Sequence, residues 1–219
     1  MTCNILLHFH DVIIREDDFC TLDEHNWLND TILEFHMEYL ERTFVTSETS
    51  IQLLRPAIVQ LITHTHDPRQ IISALPPRLN EQNAIFIPVN DGRPSAANSG
   101  SHWSLLVFLR PSCAFYYYDS MRYSNIQEAR HTARQMALLL GLTKKPEFIP
   151  TSTPQQNNGA DCGVYVIGIT DSLVNRFMEL KGKPIEADKL MMLPKSHVVE
   201  PTKIRNKLKC LIRSLGHTD

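Results

Sequence analysis

The 219-residue chain is expected to fold as an α+β protein, with helices first, strands in the middle and helices again at the end. Three observations carry this expectation. Segments with apolar residues at helical spacing flank the centre. Three short apolar or aromatic runs crowd between Ile85 and Tyr118, and strand and helix signals nowhere alternate as βαβ units would.

The elements follow in order. In "TLDEHNWLNDTILEFHMEYLERTF" (21–44), Trp27, Leu28, Ile32, Phe35, Tyr39 and Leu40 recur at helical intervals, with Asn29 or Asp30 as N-cap. "RPAIVQLITHT" (55–65) reads as a second helix with Pro56 at its first position. Ile85–Val89, Ser104–Leu109 and Phe115–Tyr118 read as strands with little exposure. Between the first two lies a long Gly/Ser/Ala/Asn-rich loop, 90–101, of the kind that often carries function. "SNIQEARHTARQMALLLG" (124–141) is a helix stopped by Gly141. The run from Cys162 to Leu180 is apolar nearly all round, which predicts a central helix. The tail, about 200–216, places Ile204, Leu208, Leu211, Ile212 and Leu215 on one face of a last helix with a basic outer side.

Bulk composition narrows the class. With 42% hydrophobic and 21% charged residues the chain is an ordinary globular one, and a net charge of −2 gives no nucleic-acid footprint. The five cysteines, Cys3, Cys20, Cys113, Cys162 and Cys210, form neither a disulfide framework nor a zinc pattern, which suits a reducing cytoplasm or nucleus. The apolar stretch Ile5–Ile14 is broken by His8, His10 and Asp11, so it reads as neither a signal peptide nor a membrane span. Without internal repeats, one domain over 1–219 is the simplest division.

The chemistry gathers around one cysteine. Asp161 is placed to cap the helix that starts at Cys162, where free N–H groups and the helix dipole favour a thiolate. Gly163 leaves the sulfur without a neighbouring side chain, so a substrate backbone could approach closely. A nucleophilic cysteine needs a base, and the base needs an orienting group. If Arg110–Cys113 is a type I turn with Pro111 second, the resulting hairpin sets Ser104 opposite Asp119. His102 then projects from the same face as Asp119, as a diagonal neighbour roughly 7–8 Å away backbone to backbone. An imidazole and a carboxylate meet across such a gap. Gln155 and Gln156, on the loop before Cys162, and the Cys162 N–H supply donors for a developing oxyanion.

Taken together, "HWSLLVF" (102–108), "YYYDS" (116–120) and "QQNNGADCG" (155–163) resemble the cysteine proteases of ubiquitin-like modifiers, the sentrin/SUMO-protease family. The resemblance runs from about residue 10 to 180. It implies a papain-like fold of circularly rearranged order, with a central mixed sheet flanked by helices. It also implies His102 as base, Asp119 as its orienting group, Cys162 as nucleophile and Gln156 in the oxyanion hole. "WLND" (27–30) matches a further family segment, which makes Trp27 and Trp103 the walls around a Gly-Gly tail and Asp30 the contact for a basic residue near the modifier's C-terminus. The rest of the acidic stretch, Glu16, Asp17, Asp18, Asp23 and Glu24, would steer at most.

Within the family the likeness is greatest to the compact deneddylating members, on three grounds. Little chain precedes the matching segment, the stretch from Asp119 to Cys162 is short, and the 90–101 loop is long. The implied activity is hydrolysis after the Gly-Gly of the neddylation modifier, both in its precursor and in its conjugates with lysines, cullins among them. A monomer needing no metal or other cofactor is expected, with no nucleic-acid or membrane partner. "HFH" (8–10) and "HTH" (64–66) lack a Cys or carboxylate at ligand spacing. The alternatives are a SUMO- or ubiquitin-specific protease, an acyltransferase, and a non-catalytic modifier-binding module.

Overall fold

Both faces of the central sheet are covered, and for that reason its strands read as unbroken apolar runs. The structure, a computed structural model, describes residues 4–45, 50–92, 100–180 and 186–216. β1 (Ile5–Phe9) and β2 (Val12–Arg15) form an antiparallel hairpin, followed by α1 (Glu16–Cys20) and α2 (Asp30–Phe44). Next come β3 (Ile51–Leu53), α3 (Pro56–His64), β4 (Ala84–Asn90), β5 (Trp103–Leu109) and β6 (Ala114–Tyr118). After these stand α4 (Ile126–Leu139), β7 (Glu147–Pro150), α5 (Cys162–Leu180), α6 (Ala187–Met191) and α7 (Pro201–Gly216). The sheet order is β3-β4-β5-β6-β7, antiparallel at the two inner pairings and parallel at the two outer ones.

Strand periodicity sorts the core into two layers. Phe86, Leu105, Val107, Tyr116 and Tyr118 point to one face and pack with α2, α5, α7 and the N-terminal hairpin. Ile85, Ile87, Leu106, Phe108, Phe115 and Tyr117 point to the other, under α3 and α4. The expected α+β class and mixed central sheet are therefore present, and the long apolar helix α5 lies against β5 as its composition predicts.

Local signals act where they were expected. Asn29, of the two possible caps, accepts a hydrogen bond from the Ile32 N–H at 3.2 Å and starts α2. Pro56 opens α3, and Gly141, with φ of 60°, ends the chain's run through α4. Two corrections concern order. Strands β1 and β2 precede the first helix, because their turn at His10-Asp11 carries no glycine and His10 itself takes φ of 52°. β3 and β7 flank the sheet with three and four residues, too short for any periodic signal. Of the 90–101 loop, residues 93–99 lie outside the described residues. Among the described residues no helix is long and apolar enough to cross a membrane.

The site-bearing helix α2 is tied to the sheet edge by a buried charge cluster. Glu38 accepts from Arg42 Nε at 2.7 Å and from Arg55, while Glu41 accepts from Arg55 Nη2 at 2.6 Å and from the Leu53 N–H at 2.9 Å. Arg55 is mostly buried whereas Arg42 is exposed. Arg55→Met is expected to cost about 1–3 kcal/mol, since Glu38 Oε2 and Glu41 Oε2 lose the cation they share while Arg42 still holds Glu38 Oε1. Arg42→Met should cost far less, because its guanidinium stays in water and the pair it makes is screened. Urea denaturation of the two variants checks the contrast.

Candidate active site

The β5–β6 hairpin delivers the first two groups. Leu105 pairs with Tyr118 and Leu106 with Tyr117, the register that sets Ser104 opposite Asp119. The Cys113 N–H donates to Arg110 O at 2.9 Å, closing the expected turn, and Cys113 itself sits at φ of 48°. At the open end of the hairpin His102 Nε2 lies 2.7 Å from Asp119 Oδ1. Both side chains are buried.

Each partner is fixed from several sides. The His102 N–H donates to Asp91 Oδ1 at 2.9 Å, and its carbonyl accepts from Asn125 Nδ2 at 3.0 Å and Asn90 Nδ2 at 3.2 Å. Besides the imidazole, the Asp119 carboxylate accepts from Tyr117 Oη at 2.6 Å, the Met121 N–H at 2.8 Å and the Asn125 N–H at 3.1 Å. Burial alone would raise this carboxyl, yet these donors outweigh it and hold Asp119 below the usual range. The reverse applies to Tyr117, which burial and the adjacent carboxylate keep protonated.

Burial disfavours a charged imidazole, but the Asp119 hydrogen bond and charge, joined by those of Cys162, raise His102 to about 9. Cys162 is the first residue of α5 and is buried beside this ring. His102 Nδ1, buried and without a hydrogen-bond partner of ordinary length, is the nitrogen left for the sulfur. A loose thiol–imidazole contact of this kind is the common resting geometry of catalytic pairs. The first amides of α5, which begin at Cys162, have no intrahelical acceptor.

The two glutamines divide their work. Gln155 is a staple: Nε2 donates to Asp119 O at 2.9 Å and Thr153 O at 3.0 Å, while Oε1 accepts from the Arg122 N–H at 2.7 Å. Gln156 is oriented through Oε1, which accepts from Ser120 Oγ at 2.6 Å, and its Nε2 donates to Asn158 O at 2.7 Å. One N–H of the Gln156 amide is left over. Asp161 stands at the N-cap position of α5, its carbonyl accepting from the Tyr165 N–H at 2.9 Å, but its side chain does not cap the helix. Its Oδ1 accepts from Arg205 Nη2 at 2.8 Å and Nε at 3.2 Å, and its Oδ2 from Asn158 Nδ2 at 2.7 Å. The guanidinium outcompetes helix amides for the carboxylate because its fork offers two charge-assisted bonds.

The residues expected around a substrate tail fall into two groups. Trp27 is 52% exposed, free to cover a neighbouring chain. Asp30 is exposed at the start of α2; desolvation raises its carboxyl, and no side chain among the described residues pairs with it. Trp103 is 6% exposed, and its Nε1 donates to Leu28 O at 3.1 Å, so it anchors the segment carrying Trp27. A Cβ at Gly163 would meet Leu28 Cβ at 3.0 Å and Leu33 Cδ1 at 3.4 Å. The missing side chain thus serves close packing of α5 against α2. Most of the acidic stretch is engaged within the fold: Asp18 accepts from Asn29, Asp23 from Lys209 and Glu24 from Thr202.

Asn90, Asp91, Asn125, Ser120 and Arg205 were not foreseen. Only Arg205 left a trace in the sequence, since it precedes Leu208 and Ile212 on the buried stripe of α7. Among the described residues no three His, Cys, Asp or Glu side chains gather to hold a metal.

A buried thiol at a helix start, beside an imidazole paired with a carboxylate, is an arrangement that cysteine proteases use, and the family match makes this chain one of them. The chain belongs to the Ulp1 protease family, whose C-terminal catalytic domain matches residues 26–191. Human Sentrin-specific protease 8 is 33% identical over 215 residues, 97% of this chain and 98% of that protein. NEDD8-specific protease 2 of Schizosaccharomyces pombe is 34% identical, over 96% of this chain and 51% of that one. The fold matches the C-terminal protease domain of Ulp1, solved in complex with Smt3, the yeast ortholog of SUMO. That match has a TM-score of 0.64 at 20% identity, covering 98% of this chain and 89% of the other.

The ion pair predicts a pH dependence. Because His102 is raised from 6.5 to about 9, its contribution to stability is complete below the lower value and is lost as pH rises through the upper one. The His102 imidazole signals should titrate near pH 9 in an NMR series. Asp119→Asn should move the midpoint down toward the ordinary value; an unmoved midpoint would contradict the assigned cause.

Proposed function

We propose that this chain is a thiol isopeptidase and C-terminal hydrolase that cuts after the terminal Gly-Gly of NEDD8, the neddylation modifier. The reading extends to both precursor maturation and removal from lysine conjugates. The observation that carries the choice of modifier is the likeness, along 96% of this chain, to a relative whose name specifies NEDD8. The chemistry rests on the buried His102–Asp119 pair and the thiol at the start of α5.

In the proposed cycle the Cys162 proton rests on His102, whose imidazolium Asp119 stabilises, so the sulfur acts as a thiolate. The thiolate attacks the carbonyl carbon of the terminal glycine. The oxyanion is held by the Cys162 N–H and by the spare N–H of Gln156, whose amide Ser120 and Asn158 already orient. Collapse expels the amine, which takes the proton from His102, and leaves the modifier as a thioester on Cys162. His102 then removes a proton from water, hydroxide adds to the thioester carbonyl, and collapse releases the carboxyl terminus and the Cys162 thiolate, leaving the proton on His102 as at the start.

Two features support a Gly-Gly tail as substrate. Only glycine lies flat beneath an indole as exposed as Trp27, and the unpaired Asp30 carboxylate stands ready for a cation. Both sit within four residues of chain, Trp27 to Asp30, that Trp103 anchors through Leu28.

Fluorogenic C-terminal conjugates of NEDD8, SUMO and ubiquitin test the reading. NEDD8 should turn over fastest; faster cleavage of either other modifier refutes the choice. Cys162→Ser should abolish turnover and keep modifier binding. Gln156→Ala should lower kcat by about 10²–10³ with KM little changed, as for loss of one oxyanion donor. Asp30→Asn should instead raise KM and spare kcat.

A further inference from the structure

The helix α7 lies beyond the residues that match the family's catalytic domain, yet it sends one side chain to the residue before Cys162. Arg205 is 2% exposed. Its Nη1 donates to Thr21 O and Asp23 O, both at 3.0 Å, and its Nη2 to Asn26 O at 2.8 Å. Nη2 and Nε also grip Asp161 Oδ1, and Nη2 approaches Ala160 O at 3.5 Å. All five N–H groups of the guanidinium are engaged.

The two sets of acceptors lead to different parts of the site. Asn26 O belongs to the residue before Trp27, so the first set fixes the approach of the exposed indole. Asp161 precedes Cys162 and accepts from Asn158 through Oδ2. Asn158 O in turn accepts from Gln156 Nε2, and Gln156 Oε1 accepts from Ser120, which follows Asp119. A continuous hydrogen-bonded path therefore runs from α7 to the amide assigned to the oxyanion.

A buried ion pair gains little net stability over apolar side chains of equal size. What it supplies here is direction. Only a planar fork reaches a carboxylate and three backbone carbonyls at once, which a lysine cannot do. Lys209, paired with Asp23 at 2.6 Å, and Thr202, bonded to Glu24 at 3.1 Å, hold the same loop to the same helix.

We propose that Arg205 is a positioning residue that sets two site elements at once, Gln156 through Asp161 and Asn158, and Trp27 through the carbonyls of residues 21–26. The inference rests on the roles given above to Gln156 and Trp27. It makes α7 part of the active-site frame.

The two arms separate experimentally. Asp161→Asn offers a donor where the second acceptor stood, so it cuts only the arm to Gln156. On a fluorogenic NEDD8 conjugate its kcat should fall on the order of ten- to a hundredfold, with KM held within about twofold. Arg205→Lys cuts both arms, so kcat should fall similarly and KM should rise. In a Gln156→Ala background, Asp161→Asn should lower kcat by no more than about twofold, because the two act through one group. Additive losses in that background, or an unchanged kcat in folded Asp161→Asn, would overturn the proposal.

A substrate-free readout keeps this distinct from the choice of function. In ¹H–¹⁵N spectra the Gln156 side-chain amide and the Trp27 indole are assigned with Gln156→Ala and Trp27→Phe. Asp161→Asn should shift the first signal and not the second, and Arg205→Lys should shift both. If the unmodified protein cleaves none of the three modifiers, the functional reading fails, and these shifts alone decide the positioning role. Should Arg205→Lys not fold, Asp161→Asn and its cycle with Gln156→Ala decide it.

Discussion

A carboxylate with no access to water must be satisfied by the protein alone, and Asp119 is where this chain meets that demand. Its acceptor positions are filled by an imidazole from the residue before β5, a phenol from β6 and two backbone amides from the loop that follows β6. Each donor constrains something larger. Tyr117 is two residues away on the same strand face, so the bond holds β6 straight to its end. The Asn125 N–H starts the turn into α4, and the same residue's side chain reaches back to Val89 O and His102 O. The ends of three adjacent strands are thereby locked around one anion. The imidazolium this permits is the electrostatic asset of the site.

That constraint explains why the functional residues stand on ends of regular elements. His102 precedes β5, Asp119 follows β6 and Cys162 begins α5. Backbone groups at such ends are not consumed by ladders or helix turns, so they are available to side chains and substrate. The elements themselves are held by two apolar layers, which fix the relative positions of strand ends better than any loop could.

Much of this was legible in the sequence because the signals are local. The apolar runs of β4, β5 and β6 are bounded by polar residues, and taking the four residues around Pro111 as a type I turn yields the register that the structure has. Asn29 caps α2, and α5 begins and ends where its composition changes. The rest failed for a common reason: its signal lies in partners remote along the chain. β3 and β7 exist as strands only because β4 and β6 offer them free edges. Asn90, Asp91 and Asn125 look like ordinary loop residues until His102 is placed beside them. Asp161 has the local look of a capping side chain, a reading overruled by Arg205 from a helix that starts 40 residues later, at Pro201.

The last of these has the widest bearing on how the site is held. The catalytic groups come from the middle of the chain, but the segment with Trp27 and Asp30 comes from its beginning, with no strand to fix it. Between α1 and α2 the chain runs from Thr21 to Asn29 without regular structure, and its carbonyls need donors. A loop satisfied by water would leave the exposed indole to wander; one satisfied by a buried guanidinium cannot move without breaking several charge-assisted bonds together. Because that guanidinium also holds Asp161, the segment that carries the exposed Trp27 and the residue next to the sulfur share one anchor. A displacement of α7 would therefore disturb binding and chemistry jointly, although neither Trp27 nor Cys162 lies in that helix.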